Sequence, residues 1–203
     1  MADIKRRTLD VSALPRHSFG PSEVTWWGNV GFMIIEGFTL MVCAVVYLYL
    51  RRNFQSWPPL RTSVPDLIIP TVSMLALIGG AVLAHLEARS ARAFDLAGVR
   101  LWATVGVIAD AVVLVLRFLE LSSLNTRYDN DAYGSIVWFT LGFHGTLLAL
   151  VFLEDLFFLL VPWLKGIDAK QAGHIVEKGA YAKFVAAIWI PLYVLIYLSP
   201  RFL

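Results

Sequence analysis

The stretch YGSIVWFTLGFHGTLLALVFLEDLFFLLVP, from Tyr133 to Pro162, decides the fold. It stays apolar for about thirty residues, where an α-helix needs roughly 20 to cross a hydrocarbon layer ~30 Å thick. It therefore reads as a transmembrane helix. His144 lies near its middle and an acidic pair, Glu154-Asp155, nearer its end. A charged side chain at membrane depth costs at least ~2.5 kcal/mol, so such groups are expected to face protein, and the helix to be a partner-facing element.

The composition carries the same message. The chain has 203 residues, 58% hydrophobic and 16% charged, against roughly 45–50% and 25% in soluble globular chains. This is an integral membrane protein. Its single cysteine, Cys43, sits in an apolar run, which excludes a disulfide framework or a Cys-based metal cluster. His17, His85, His144 and His174 are far apart and never at close ligand spacing, so no metal or haem site is expected in this chain alone. A net charge of +2 without a long basic run predicts no nucleic-acid partner.

Four more spans flank the central one. Residues 1–24, opening MADIKRR, are polar and lack the apolar core of a cleaved signal, which predicts a cytoplasmic arm. Helix one runs from Trp26 to Leu50 and is stopped by Arg51-Arg52. Its Trp26-Trp27 and Tyr47, Tyr49 pairs are assigned to the two interfaces. Helix two, about Asp66 to Ala88, contains Pro70 and Gly79-Gly80, tolerated in lipid and suited to close helix contact. Helix three spans about Val99 to Leu121, followed by the polar, turn-forming loop Ser122 to Ala132. Lys165 to Lys178 reads as a polar loop, and helix five as Tyr181 to Leu198. The fold class is thus all-α, with residues 25–203 forming one five-helix transmembrane domain.

The Lys and Arg distribution orients it. The N-terminus and the second and fourth loops carry Lys5, Arg6, Arg7, Arg16, Arg89, Arg92, Arg100, Lys165, Lys170, Lys178 and Lys183. The other side carries Arg51, Arg52, Arg61, Arg117, Arg127 and Arg201. The excess predicts a cytoplasmic N-terminus.

Several interior polar groups could matter. Glu36 lies nine residues after Trp27, ~14 Å into the membrane at 1.5 Å per residue. It reads either as a proton-linked or partner-contacting carboxyl, or as a neutral acid bonded to a neighbouring helix. Asp110 is similarly central in helix three. Arg117, two turns on and on the same face, has Glu120 within side-chain reach, which suggests an internal ion pair. His144 reads as a satisfied packing residue, and Glu154-Asp155 as a solvated helix end or a partner of Lys165. No Ser-His-Asp set, glycine-rich phosphate loop or metal-ligand pair appears, so no catalytic or metal-binding residue is assigned. The residues alone describe a helper subunit. They leave open a small proton-coupled transporter, with Glu36 and Asp110 as coupling carboxyls, or a lipid-binding scaffold.

Asp131-Ala132-Tyr133-Gly134-Ser135, followed by Gly142-Phe143-His144-Gly145 on one span, resembles subunit III of the haem-copper terminal oxidases. Trp26-Trp27-Gly28 followed by Glu36, Thr71 and Ala84-His85, Glu120, and then Tyr181, Phe184-Val185, Trp189 and Tyr197 agree in order over about residues 26–200. The chain resembles the short, five-span form of that family. The resemblance implies a non-catalytic subunit III of a haem-copper terminal oxidase, a cytochrome c oxidase by family type, in the aerobic respiratory chain of the bacterial cytoplasmic membrane. Its implied partners are subunit I, other oxidase subunits and phospholipids, and its implied role is to sustain stability and proton uptake. Haem and copper would reside in the partner subunit, with none in this chain. Glu36, His144, Glu120, Asp110, Arg117 and His85 are the candidate buried polar or proton-linked groups. The last span departs from the family's Tyr-Trp-His-Phe-Val-Asp pattern, reading Tyr181-Ala182-Lys183-Phe184-Val185-Ala186. Leu147 stands for a second histidine and Pro70 for an asparagine. These departures keep a second reading in view, an accessory protein of a nitric oxide reductase.

Overall fold

In the computed structural model, residues 23–59 and 62–202 are described. The polar arm expected over residues 1–24, and Arg61 of the charge distribution, lie outside them apart from residues 23 and 24. Among the described residues, five helices are long and apolar enough to cross a membrane. They are α1 (Val24–Asn53), α2 (Ile68–Arg92), α3 (Leu96–Ser122), α4 (Ala132–Leu164) and α5 (Ala169–Tyr193). The last continues through a π-helical turn, Val194–Leu198, into a final turn, Ser199–Phe202. Among the described residues there is no strand, so the all-α five-helix reading stands.

Side-chain caps explain where three helices begin. Asp95 accepts from the Gly98 N–H at the start of α3, and Asp131 from the Gly134 N–H at the start of α4. Asp168 and Gln171 form a reciprocal capping box at the start of α5. That box corrects one expectation: the polar segment Lys165 to Lys178 is not all loop, because α5 starts at Ala169. Its charged first turns remain helical because their side chains find partners inside the bundle. Pro70 falls in the first turn of α2, where a missing N–H removes no helix bond. Gly134 is required by contact, since a Cβ there would lie 2.1 Å from the Arg127 carbonyl oxygen. The 122–131 loop can therefore fold back on α4, where Trp138 Nε1–H donates to the Thr126 carbonyl at 2.8 Å.

α2 packs closely on both α3 and α5, α4 lies chiefly on α3, and α1 leans more lightly on α4 and α5. The closest approach of α2 to α5 is at Gly179, whose added Cβ would meet the Ala84 carbonyl oxygen at 3.0 Å and the Ala88 Cβ at 3.4 Å. Gly79 and Gly80 do not serve that purpose: the first meets nothing, and the second only Asp110 Oδ1 at 3.7 Å. The small residues that matter are one to three turns further along the helices. Tyr47 also departs from its interfacial assignment. It is buried, with ring contacts to Trp57 and Tyr133, while Tyr49 is exposed. Outward-facing Ile108, Val115 and Phe118 on α3 are the surface expected of a helix solvated by lipid.

Candidate functional site

Three polar knots join the helices in the interior. The first is made by α1 and α5. Buried Glu36 accepts from the Tyr181 hydroxyl, which lies 2.9 Å from Oε1 and 2.8 Å from Oε2. The mid-membrane carboxyl is thus held by a neighbouring helix.

The second knot joins α3, α4 and α5. Arg117 Nη1 donates to Glu120 Oε2 at 2.7 Å, and the Tyr197 hydroxyl donates to Glu120 Oε1. Arg117 Nη2 lies 3.2 Å from His144 Nδ1, and His144 Nε2 lies 3.1 Å from the Val185 carbonyl. A guanidinium can only donate and a carbonyl can only accept, so Nδ1 is the acceptor and Nε2 carries the proton. The geometry therefore requires a neutral imidazole. Trp189 backs the arrangement, with the His144 ring stacked at 4.4 Å between centroids and the Arg117 guanidinium 3.9 Å from the indole centroid. Arg117, Glu120, His144, Trp189 and Tyr197 are all buried. Gly145 makes room for them, since a Cβ there would lie 3.4 Å from Arg117 Cγ.

The third knot joins α2, α4 and α5. Lys178 Nζ lies 2.9 Å from Glu87 Oε2, 3.1 Å from Glu87 Oε1 and 3.0 Å from Asp155 Oδ1. The side chains of Lys178, Glu87 and Asp155 are 2%, 3% and 6% exposed, so this charge set is desolvated and depends on its members for compensation. Asp110 stands at its edge, within interaction range of Asp155 and Lys178. Its Oδ2 has no hydrogen-bond partner, and it borders a cavity of about 10 Å³ lined also by Leu77, Leu148 and Val185. That is about the space of one water molecule.

Four of the six candidates from the sequence, Glu36, Arg117, Glu120 and His144, are thus buried knot members. Asp110 does not join Arg117, its expected neighbour two turns away; it belongs to the Lys178 knot on a different set of helices. His85 is exposed on α2 and is not a buried polar group. The buried ionisable side chain of that helical turn is Glu87. Asp155 is neither a solvated end nor a partner of Lys165, because the earlier start of α5 brings Lys178 to it. Lys178, Glu87, Tyr181 and Tyr197 complete the knots. The signal for Lys178 was Asp168 and Gln171 at capping-box spacing, which makes the preceding polar run helical.

Beside the first and third knots, a cleft of about 670 Å³ opens between α1, α4 and α5. Phe32, Leu153 and Phe157 line its apolar part, and Asn29, Glu154, His174 and Glu177 its polar part. Thr25 Oγ1 donates to Glu177 Oε1 and Asn29 Nδ2 to the Glu177 carbonyl, each at 2.8 Å. Among the described residues no group of three or more His, Cys, Asp and Glu side chains could hold a metal ion. What the knots can do is fix the helices against one another.

No family model matches the chain. It is similar to cytochrome c oxidase subunit 3 of Synechocystis sp., 26% identical over 187 residues, covering 88% of this chain and 77% of that protein. It is 25% identical over 176 residues to the probable cytochrome c oxidase subunit 3 of Mycobacterium bovis, covering 83% and 86% of the two. The corresponding Nocardia farcinica protein is 25% identical over 177 residues, with the same coverage. These relatives, matched over most of the chain at 25–26% identity, support the cytochrome c oxidase subunit III family for it. Several of the residues through which it resembles the subunit III family meet inside it. Glu36 with Tyr181, and Glu120 with Tyr197 beside His144 and Trp189, are distant in sequence and close in the bundle. Thr71 adds another such link, its hydroxyl 2.6 Å from that of Tyr193.

Proposed function

We propose that the chain is the non-catalytic subunit III of a haem-copper terminal oxidase in an aerobic respiratory chain, packed on the catalytic subunit I that carries the haem and copper. The single observation that carries this reading is the match to subunit 3 proteins along more than four fifths of the chain. The buried Glu36, Glu120 and His144 support it, because their bonds run between helices and stabilise a scaffold. Glu36 is the group best placed to influence proton access. The open cleft, lined by both apolar and polar side chains, suits a phospholipid with its chains along Phe32 and Phe157.

The membrane is the bacterial cytoplasmic membrane, with residues 1–24 as a cytoplasmic arm and 25–203 as the transmembrane domain. Lys178 and Arg117 are buried in ion pairs and Lys183 lies within α5, so none of them is a loop charge. The remaining cations still favour the N-terminal side, through Lys5, Arg6, Arg7, Arg16, Arg89, Arg92, Arg100, Lys165 and Lys170 against Arg51, Arg52, Arg61, Arg127 and Arg201.

Ala182, Lys183 and Ala186, where the family pattern has Trp, His and Asp, favour a second reading as the accessory protein of a nitric oxide reductase. Purifying the tagged chain in mild detergent and recording a reduced-minus-oxidised spectrum tests both. Haem absorbance with oxygen consumption is the expected result. Haem with nitric oxide consumption and no oxygen consumption selects the second reading, and a colourless chain alone in intact lipid defeats both. Within an assembled complex, Glu36→Ala is expected to lower yield or shorten turnover life; an unchanged yield and inactivation rate would remove Glu36 from the account.

A further inference from the structure

Lys183 is a cation at mid-membrane depth with no hydrogen bond or ion pair among the described residues. Tyr181 reaches Glu36 on α1, and Phe184 and Ile188 lie 3.4 Å and 3.6 Å from where a Cβ on Gly37 of α1 would sit. Val185 and Trp189 face His144 on α4, and Gly179 faces α2. The sector of α5 left over carries Lys183, Ala187, Ile190 and Val194 at helical spacing. Lys183 is half-buried and the other three are exposed.

Two markers fix its depth. Gly37, level with Phe184, is ten residues beyond Trp27, ~15 Å along the axis. Lys178 is level with Glu87, five residues before the end of α2 at Arg92, and Lys183 is five residues deeper, again ~15 Å in all. A four-carbon stem cannot carry its ammonium from there to the headgroups. An ammonium in hydrocarbon without a counter-charge is disfavoured, so this one faces protein.

α1 and α2 flank this sector without packing closely on each other. The wall formed by α1 is an apolar groove of about 470 Å³, lined by Met33, Gly37, Phe38, Met41 and Phe184. Exposed Ala187, a small residue, allows a helix to approach closely. We infer that the groove between α1 and α2, floored by α5, receives a transmembrane helix of a partner protein with an aspartate or glutamate opposite Lys183. A second copy of this chain is a poor occupant. Of its spanning carboxyls, Glu36, Glu87, Glu120 and Asp155 are buried and already bonded, Asp110 turns toward Asp155, and Glu154 lines the recessed cleft between α1, α4 and α5.

This inference rests on the chain being a subunit of a larger assembly, and its test separates the two claims. A photo-crosslinking amino acid is placed at Ala187 in the full tagged chain in its native membrane, and adducts are identified by mass spectrometry. The expected adduct joins Ala187 to a membrane segment of another protein with an Asp or Glu within one turn of the linked residue. Lys183→Met should weaken it about thirtyfold or more, the scale for removing one member of a buried charge pair, while Lys183→Arg should retain it. Adducts to lipid alone, adducts of two copies of this chain, or an undiminished adduct in a monodisperse Lys183→Met protein would each overturn the inference. If Lys183→Met does not accumulate, the segment linked by the unsubstituted chain decides, and one without a carboxylate rejects the assignment. Haem co-purifying with lipid-only adducts refutes the groove and leaves the oxidase reading. A carboxylate-bearing adduct without haem does the reverse.

Discussion

Arg117 and Glu120 are three residues apart on one helix, whereas Lys178 meets Glu87 across 91 residues of chain and a helix interface. The first pair is positioned as soon as α3 forms, because residues three apart stand on one face. The second exists only if α5 starts at Ala169, if Gly179 lets α2 approach, and if α4 presents Asp155 at the same depth. Both sets are desolvated. Their difference shows that the local pair reports a helix, while the distant one reports the packing of three helices.

Lys178→Met is the harshest test of that difference. It leaves Glu87 and Asp155 buried without their cation, and a destabilisation of about 3–5 kcal/mol is expected in thermal or detergent unfolding. A loss below about 1 kcal/mol would mean that the knot is not closed in the membrane. Arg117→Met should cost about 3 kcal/mol, at the lower end of the same range, because Glu120 keeps the Tyr197 hydroxyl. Adding Glu120→Gln should then recover part of the loss, and a strictly additive double variant would show that the two residues do not interact.

Gly179→Val sharpens the comparison by acting on packing alone. Overpacking against Ala84 and Ala88 should cost about 1–3 kcal/mol. It should also reduce the coupling between Lys178 and Glu87 measured in a double-mutant cycle, while leaving that between Arg117 and Glu120 unchanged. Tyr181→Phe removes one donor from Glu36 and should cost about 1–3 kcal/mol, more than Glu36→Gln, which keeps an acceptor for the hydroxyl. The smallest effect belongs to His85→Leu on the exposed face of α2, expected within about 0.5 kcal/mol in the isolated chain by the same unfolding measurement.

Much of the fold was legible because hydropathy is local. The central span was expected from Tyr133 to Pro162 and forms Ala132–Leu164. The first three helices begin and end within four residues of their expected bounds. The beginning of α5 was the exception, since His174, Glu177 and Lys178 look like a solvated loop until their partners on α1, α2 and α4 are known. The same applies to Tyr47, whose place at a helix end suggested an interface and whose ring is held in the core by Trp57 and Tyr133. Of the site, the Arg117–Glu120 pair could be read from spacing. His144 was expected to be a satisfied packing residue, but the identity of its partners was not readable.

By itself, the sequence determined that the chain is all-helical, that five segments can cross a membrane, and that Glu36, Asp110, Arg117, Glu120 and His144 lie at depths where polar groups need partners. Each of these follows from transfer free energy and helical rise, which depend on neighbours along the chain. Only the tertiary structure decided which polar groups meet. It turned His85 outward and Glu87 inward, drew Asp110 to the Lys178 knot, and left Lys183 on an open sector between α1 and α2. Those outcomes depend on the azimuth and depth at which separate helices dock, set by contacts such as Gly179 against Ala84 and Ala88 that residue spacing along one helix does not encode.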